Sequence, residues 1–418
     1  MVLLTLDEAL SHLHIPSALG IFQPYWEESM ISFPASLPYF LQPEVAVSYR
    51  EWCGMSPNSD ILLSVVCQRI QEDIALQQLA WHCHQLLYEH LDYSQISQWP
   101  RLTEVLGDSS GVFYLLVALA MVRYVQSVHQ DIRIPVDVSR ATCHQVACFA
   151  TNYFNMTNGL LGITLNQIFW LRHYTNGRLF RLGRFEYMIK NIGNEVEVYR
   201  HKATRRVIAL AGDGIRYNTA GYVAVDADTD AWTATLQYIP NAVVGFPILP
   251  QGMAEHRSVK LPLDQWEKVL QQSDLVLDMH IPTGGRMHLT ECWDSLCQAV
   301  SFFARFFPEK PVKAITCKSW IFNNQLQEIK ISSDNLACFQ RELYLFPTKS
   351  TGQDGLWFIF LQSPLDLQKA PRDTSLQRAV ADFLLAGNTW RGGGMFILVD
   401  DLDQFGNQVY RSALIPAV

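Results

Sequence analysis

The stretch that decides the fold is "DLVLDMHIPTGGRMHLTECWDSLCQAVSFFARFF", residues 274–307. Its first part alternates apolar and polar residues, which predicts a β-strand with one apolar face and one face that carries Asp278 and His280. The strand pattern stops at Pro282, two glycines follow, and apolar residues then recur at helical spacing. The stretch therefore predicts a strand, a glycine turn and a helix in succession.

Such a unit is able to bind a phosphate. Glycines let backbone N–H groups approach an anion closely, and the N-terminus of a helix leaves several N–H groups unpaired. A plain connection between a strand and a helix also uses short glycine-containing turns. The motif alone leaves both interpretations open.

The bulk composition limits the classes of function. A length of 418 residues predicts two domains. The formal net charge of -8 argues against a nucleic-acid partner. Nine cysteines without a CxxC pair fit reduced thiols, and the longest apolar run, Val112 to Val122, is shorter than a membrane span of about 20 residues. We therefore expect a cytoplasmic protein with no membrane partner.

The periodicity changes along the chain. Apolar residues follow helical spacing from about residue 6 to residue 125, and an extended connector, "QDIRIPVDV", follows at 130–138. Two further helical stretches precede a region with period two. We predict an all-helical domain over 1–130 and a mixed α/β domain over 131–418.

The mixed domain is expected to contain both strands and helices. Strands are predicted in the segments "RLFRLGRFEYMI" (178–189), "VEVYRHKATRRVIALA" (196–211), "GYVAVDA" (221–227), "WTATLQYI" (232–239), "SDLVLDMHIP" (273–282), "VKAITCKSWIF" (312–322) and "LWFIFLQ" (356–362). Helices are predicted in "LDQWEKVLQ" (263–271), "CWDSLCQAVSFFARFF" (292–307) and "SLQRAVADFLLAG" (375–387). This order predicts one mixed sheet with helices around it.

Five blocks in order carry a family resemblance: "RLFRLGRFEY", "GFPILPQG", "LDMHIPTGG" with "CWDSLCQAVSFFARFFPE", "CKSWIF" with "SDNLACFQREL", and "WRGGGMFIL". They resemble bacterial acyltransferase-domain proteins, which join a helical N-acyltransferase N-terminal domain to a GNAT-like C-terminal domain. The resemblance covers most of 131–418. It implies a GNAT-like domain with a central mixed β-sheet flanked by helices. It also implies acyl transfer from acyl-CoA, such as acetyl-CoA, to a small-molecule or peptide amine, without a metal.

The resemblance also implies where CoA binds. In the GNAT superfamily the CoA pyrophosphate lies on the loop after a central strand. The equivalent cofactor-binding residues are Ile281, Pro282, Thr283, Gly284, Gly285 and Arg286. The usual loop reads Q or R, two residues, G, one residue, then G or A, whereas this chain has "PTGGRM".

Acyl transfer to an amine requires a deprotonated amine and a reprotonated leaving thiolate. His280 is the candidate base, directly or through water; the alternative is a histidine that a backbone carbonyl satisfies. Asp278 and Glu186 are further catalytic candidates. Cys317 is a candidate acid or acyl acceptor, or else a small buried hydrophobe. Ser319 and Trp320 are expected at the substrate, although Trp320 also fits a packing anchor.

The first predicted strand contains arginines in an apolar setting. Strict alternation separates Arg181 from Arg184 and Glu186, whereas a bulge at Gly183 would unite them. These guanidinium groups either pair with Glu186 and Asp278 as a structural network, which we favour, or bind a carboxylate or phosphate of the substrate. Arg181 and Arg184 are therefore substrate-binding candidates.

Other motifs carry less. "GDSSG" (107–111) would make Ser109 a hydrolase nucleophile, but its helical surroundings favour a helix cap. "DADTD" (226–230) lacks the glycine and glutamate of a calcium loop and fits a solvated turn. "WHCHQLLYEH" (81–90) places its histidines on different helix faces, so it predicts no zinc site. "WRGGGMFIL" (390–398) predicts a close approach of two backbones, with Arg391 near the cleft.

A non-catalytic acyl-CoA-sensing or protein-interaction module on the same fold remains the alternative to an enzyme.

Overall fold

The computed structural model describes residues 3–226, 228–329 and 334–411. The chain divides into two compact units. The first is Met1–Leu182 with Pro282–Gly284, and the second is Gly183–Ile281 with Gly285–Val418. A helical first part precedes a mixed sheet with helices, which confirms the predicted fold class. The division of the sequence at residue 130 stays a prediction.

The first unit is built from helices. Their bounds are α1 Leu6–His12, α2 Leu19–Phe22, α3 Trp26–Ile31, α4 Pro43–Trp52, α5 Asp60–Gln71, α6 Ile74–Tyr88, α7 Thr103–Leu106, α8 Ser110–Leu119, α9 Met121–Asp131, α10 Val136–Cys143, α11 Gln145–Met156, α12 Leu165–Ile168 and α13 Leu171–Thr175, followed by strand β1 Phe180–Leu182. Local chemistry fixes several starts. The Asp73 side chain accepts the amides of Ala75 and Leu76 at the start of α6.

The core of the first unit forms around α8. Every residue of α8 is buried, which its uniformly apolar sequence explains. The run Thr103–Asp131 is long and apolar enough to cross a membrane by length and composition, yet 78% of its most apolar window is buried inside the protein. A buried core helix has the same composition, so this run is no more than weak evidence for a membrane span.

The second unit contains β-sheets and five α-helices among its described residues. Its strands are β2 Phe185–Asn191, β3 Val196–His201, β4 Val207–Ala211, β5 Arg216–Tyr217, β6 Trp232–Thr233, β7 Gln237–Ile239, β8 Ala242–Gly245, β9 Pro247–Leu249, β10 Met253–Ala254, β11 Val259–Pro262, β12 Trp266–Leu270, β13 Leu275–His280, β14 Ala314–Ser319, β15 Tyr344–Pro347 and β16 Gly393–Leu398. Its helices are α14 Leu289–Phe306, α15 Gln325–Glu328, α16 Asp334–Arg341, α17 Leu356–Phe360 and α18 Ser375–Leu385.

The main sheet of this unit has the strand order β2-β13-β14-β16-β15. Strands β13 and β14 run parallel, and the other neighbouring pairs run antiparallel. The order β10-β9-β4-β3-β12 forms a second sheet, β11-β8-β7 forms a third, and β5-β6 forms a two-stranded sheet. The prediction of one sheet was therefore wrong, because the many short strands of residues 196–270 pair among themselves. The central strand predicted at 273–282 therefore lies inside the main sheet as β13.

One face of the main sheet packs on α14. The Ser295 hydroxyl of α14 lies 2.9 Å from the Tyr187 hydroxyl and accepts the Phe185 amide at 3.1 Å. Tyr187 is the register partner of Met279, so both side chains share this face. The opposite face of β13 carries Asp278 and His280.

Several predicted elements were wrong. "LDQWEKVLQ" contains the strand β12, because residues 266–270 pair with β3, and this non-local pairing overrides local helix propensity. "LWFIFLQ" contains the helix α17, which follows Gly355 at φ +73° and buries Leu356, Ile359 and Phe360 on one face. In "GYVAVDA" the described residues contribute a single bridge at Val223.

The connection between β1 and β2 is a turn of two residues, Gly183 and Arg184, and the bulge weighed from the sequence does not form. Gly183 has φ +65°, a left-handed conformation that a residue without Cβ adopts at little cost. Arg184 therefore lies on a turn and not within a strand.

Candidate active site

A polar cluster occupies the face of the main sheet opposite α14. His280 Nε2 lies 3.3 Å from one carboxylate oxygen of Asp278, and Lys190 Nζ lies 2.6 Å from the other. Glu186 is the register partner of His280 on β2 and is also buried. Alternation along β2 and β13 thus brings together three of the four predicted catalytic residues: Asp278, His280 and Glu186.

Two opposing effects act on the Asp278 carboxyl. Burial raises its pKa, but His280 and Lys190 favour the charged form, and together they hold the pKa below its usual range. Asp278 is therefore a carboxylate at neutral pH. Its partners are Lys190 and His280, whereas the network that we favoured from the sequence paired it with arginine.

Sequence reasoning missed Lys190. The signal was present, because period two in "FEYMIKN" places Glu186 and Lys190 on the same face of β2. The register confirms this, since Val276 is the partner of Lys190 and Asp278 lies one step further along the same face of β13. Because Lys190 is a basic residue at the end of an apolar strand, the sequence could have predicted it as the partner of the buried Asp278.

Cys317 does not join this cluster. Thr316 is the register partner of Asp278, so the neighbouring Cys317 points to the opposite face, which packs on α14. The thiol is buried, and desolvation, with a smaller contribution from Asp278, raises its pKa well above the usual value. Cys317 is a neutral thiol in this environment and fits the small buried hydrophobe of the alternative interpretation.

Ser319 and Trp320 have local structural contacts. The Ser319 hydroxyl accepts the Ile321 amide at 3.4 Å and precedes a short 3₁₀ helix, Trp320–Phe322. Trp320 packs beside Leu326 and Leu356, and a Cβ on Gly355 would lie 1.9 Å from its ring. Trp320 therefore acts as a packing anchor for this part of the second unit.

The two parallel strands separate at the cluster. Their described register pairs end at Asp278 and Thr316, yet β13 continues to His280 and β14 continues to Ser319. Among the described residues, each continuation has register pairs with its outer neighbour, β2 or β16. The parallel ladder therefore ends two residues before His280, and we call this end of the ladder between β13 and β14 the wedge.

The loop after β13 is exposed. Residues 283–286 are all exposed, and Gly284 and Gly285 have φ of +87° and +71°. In the second unit, Arg184 donates to the carbonyls of Gly285 and Arg286, at 3.5 Å and 3.3 Å. Helix α14 begins at Leu289, and the side chain of its N-cap residue, His288, caps no amide. The helix thus begins four residues after Gly285, with its first amides uncapped by a side chain.

The residues Pro282–Gly284 belong to the first unit, where Arg181 is also found. The Cys148 thiol donates to the Thr283 carbonyl at 3.5 Å, and Arg181 Nη1 lies 3.4 Å from the same sulfur. No ion pair involving Arg181 occurs among the described residues. Of the two predicted substrate-binding arginines, Arg184 donates to the loop carbonyls, whereas Arg181 forms no ion pair with a carboxylate in the part of the chain that the structure describes.

Arg391 contacts Asp228 in a different part of the second unit. Its Nη2 lies 3.3 Å from the Asp228 carboxylate, and its Nη1 donates to the Val223 carbonyl at 3.2 Å. The description of "DADTD" as a solvated turn was therefore wrong for Asp228. The predicted backbone approach at the glycine cluster is confirmed, because a Cβ on Gly393 would lie 2.1 Å from the Phe322 carbonyl oxygen.

The motifs set aside earlier have structural explanations. Ser109 ends a 3₁₀ turn that follows the helix α7 and precedes α8, whereas a nucleophile elbow requires a strand in the place of α7. His82 lies 2.9 Å from the Ser29 hydroxyl, whereas His84 stacks between Phe40 and Trp81. Within residues 3–226, 228–329 and 334–411, no group of three or more His, Cys, Asp or Glu side chains is arranged to hold a metal ion.

The fold and the matching family models show that this protein has a GNAT-like acyltransferase fold. The model described as GNAT-like C-terminal domain matches residues 179–396, and the model described as N-acyltransferase N-terminal domain matches residues 49–177. The chain belongs to the GNAT-like C-terminal domain family, and the resemblance predicted from the sequence is confirmed.

Two solved structures share the fold. One is an acyltransferase variant in complex with octanoyl-CoA, with 18% identity, a TM-score of 0.58, and coverage of 94% of this chain and 98% of that chain. The other is an acyltransferase in complex with decanoyl-CoA and teicoplanin, with 18% identity, a TM-score of 0.50, and coverage of 86% and 99%. A search of curated proteins found no match.

Proposed function

We propose that this protein transfers an acyl group from acyl-CoA to an amine, and that the reaction takes place where β13 and β14 separate. The observation that carries the proposal is the position of His280. It ends β13 beside the wedge, it is paired with the buried Asp278, and the next residues form the exposed glycine loop. The end of β13 thus places the base His280 within a few residues of the loop that we propose binds an anion.

The cluster supports proton transfer by His280. A carboxylate at Nε2 favours the tautomer that carries its proton on Nε2, which leaves the lone pair on Nδ1. Nδ1 would accept a proton from the attacking amine as nitrogen bonds to the thioester carbonyl carbon. When the carbon–sulfur bond breaks, the imidazolium would return that proton to the CoA thiolate. Asp278 would stabilise the imidazolium in between, with Lys190 as a positioning residue for Asp278.

Two features support CoA as the acyl carrier. The amides near Gly285, Arg286 and the first turn of α14 suit the pyrophosphate, because helix N-termini and glycine turns concentrate N–H groups. The backbone edges of the wedge suit the two amide groups of the pantetheine arm, since an extended ligand can pair with strand edges. Arg184 donates hydrogen bonds to the loop carbonyls of Gly285 and Arg286, and these carbonyls are thereby kept from facing the phosphate.

The two related structures bear on the substrates. They hold octanoyl-CoA, and decanoyl-CoA with the glycopeptide teicoplanin. This favours a medium-chain acyl-CoA and an amine on a small molecule for the present chain as well. The family resemblance alone suggested acetyl-CoA, and the experiment below therefore includes acetyl-CoA as the short-chain substrate.

The experiment measures release of the CoA thiol from acetyl-, octanoyl- and decanoyl-CoA with a panel of primary amines. His280→Asn should lower kcat by about 100-fold or more, because it removes the base. His256→Asn is a matched control on an exposed histidine of the same unit, and it should leave the rate unchanged. Amine-independent release at the same rate, or equal rates for both variants, would contradict the proposal. Tight acyl-CoA binding without turnover would instead favour a sensing module.

A further inference from the structure

The first unit carries a surface pocket of about 650 Å³ that the proposed reaction does not use. Its lining comes from the segment after α6, from a 3₁₀ turn, and from α12 and α13. The lining residues are Leu91, Tyr93, Ser94, Ile96, Ser97, Leu165, Asn166, Phe169 and Arg172. A volume of this size accommodates a small organic molecule.

Arg172 holds the charge in this pocket. Its guanidinium carbon lies 5.2 Å from the Tyr93 ring centroid and 5.7 Å from that of Phe169, so aromatic rings fix the group in place. Its Nε donates to His173 at 3.3 Å. Among the described residues no carboxylate pairs with Arg172. The fork of its terminal nitrogens therefore remains available to an anion.

The other polar side chains of the lining do not act as an anionic partner for Arg172. The Tyr93 hydroxyl donates to the Leu87 carbonyl at 2.9 Å, and the Ser94 hydroxyl donates to the Asp92 carboxylate at 2.7 Å. Ser97 and Asn166 are exposed at the rim. Leu91, Ile96, Leu165 and the two rings supply apolar walls. The lining thus combines one oriented cation with an apolar surface.

We infer that this pocket binds a small organic carboxylate with an apolar or aromatic body. The planar guanidinium matches a carboxylate bidentately, and the apolar walls match the rest of the ligand. A single cation in the described lining suits a monoanion better than a phosphate dianion, and Asp92 beside Ser94 opposes extra negative charge. The site lies wholly within the first unit and makes no use of His280.

Calorimetric titration of the full chain tests the inference with three probes: 3-phenylpropionate, the neutral 3-phenylpropan-1-ol and phenyl phosphate. We expect the carboxylate to bind about tenfold or more tightly than the alcohol, and more tightly than the phosphate. Arg172→Gln should weaken carboxylate binding by about tenfold or more. The matched control Arg178→Gln replaces an exposed arginine outside the lining and should leave binding unchanged.

Several outcomes would overturn the inference: alcohol and carboxylate binding equally, phosphate binding best, no heat from any probe at about 10 mM, or equal affinities for wild type and Arg172→Gln. Should Arg172→Gln fail to give a cooperative thermal transition, the comparison of acid and alcohol on the wild-type chain decides alone. Because the readout is binding in the first unit, it is independent of acyl transfer.

Discussion

Replacing Lys190 by methionine tests the charge arrangement that positions His280. Lys190 Nζ lies 2.6 Å from Asp278, whose side chain is 10% exposed, while that of Lys190 is 34% exposed. Breaking a fully buried pair costs about 3–5 kcal/mol, and an exposed pair contributes about 0–1 kcal/mol. Because Lys190 is one-third exposed and Asp278 retains His280, we expect a loss of about 1–2 kcal/mol in unfolding free energy at pH 7.

The pH dependence of this loss has a definite sign. The folded pKa of Asp278 lies below its usual range, so the carboxylate stabilises the fold above the unfolded pKa of about 3.9. That stabilisation disappears as the pH falls through the lower folded pKa, because a protonated Asp278 no longer needs Lys190. The difference between wild type and Lys190→Met should therefore be full at pH 7 and should shrink as the pH falls below the unfolded pKa of Asp278.

Urea denaturation of both chains at several pH values measures the difference. The matched control is Lys313→Met, which removes a partner 2.9 Å from Asp274 but leaves a more exposed pair, with Lys313 51% exposed. We expect this control to cost at most about 0.5 kcal/mol. An equal loss for both variants, or a Lys190→Met loss that does not change with pH, would refute the reasoning.

Three further predictions concern stability. Arg391→Met removes the buried partner of the half-buried Asp228 and should cost about 1–2 kcal/mol in urea denaturation; a loss below about 0.5 kcal/mol would count against this pair. Gly393→Ala should cost about 2 kcal/mol or more, because the new Cβ would meet a backbone carbonyl, whereas Gly20→Ala meets open space in a helix and should be neutral or stabilising. Burial lowers the pKa of His84 to about 3, so only the unfolded chain gains this proton as the pH falls from about 6.5. Unfolding free energy should then fall by roughly 1.4 kcal/mol per pH unit from this group, and a flat profile that His84→Phe does not alter would contradict it.

Local sequence patterns correctly predicted those strands and helices in which the spacing of apolar residues matches the face that is buried in the structure. The strand β13 and the helix α14 follow from alternation and helical spacing within one stretch, and both form. In β12 the composition favours a helix, but pairing with β3 decides the structure. In α17 the aromatic and β-branched composition favours a strand, but one buried face decides it. Such outcomes depend on neighbours that are distant in sequence.

The candidate site was predictable in part for the same reason. Alternation along β13 placed Asp278 and His280 together, and the glycines after Pro282 predicted the exposed loop. The face that Cys317 adopts depends on the register between β13 and β14, which a single sequence does not contain. The separation of these two strands likewise depends on where their ladder stops.

Hydrogen exchange with mass spectrometry, with and without saturating CoA, tests the central claim most directly. If the loop and the start of α14 hold the pyrophosphate, amides in peptides covering 285–291 should exchange more slowly in the presence of CoA. Peptides from the opposite end of α14, near Phe306, should serve as an internal reference and stay unchanged. CoA binding that leaves residues 285–291 unprotected, or protects only other parts of the chain, would contradict the proposed acyl-CoA site.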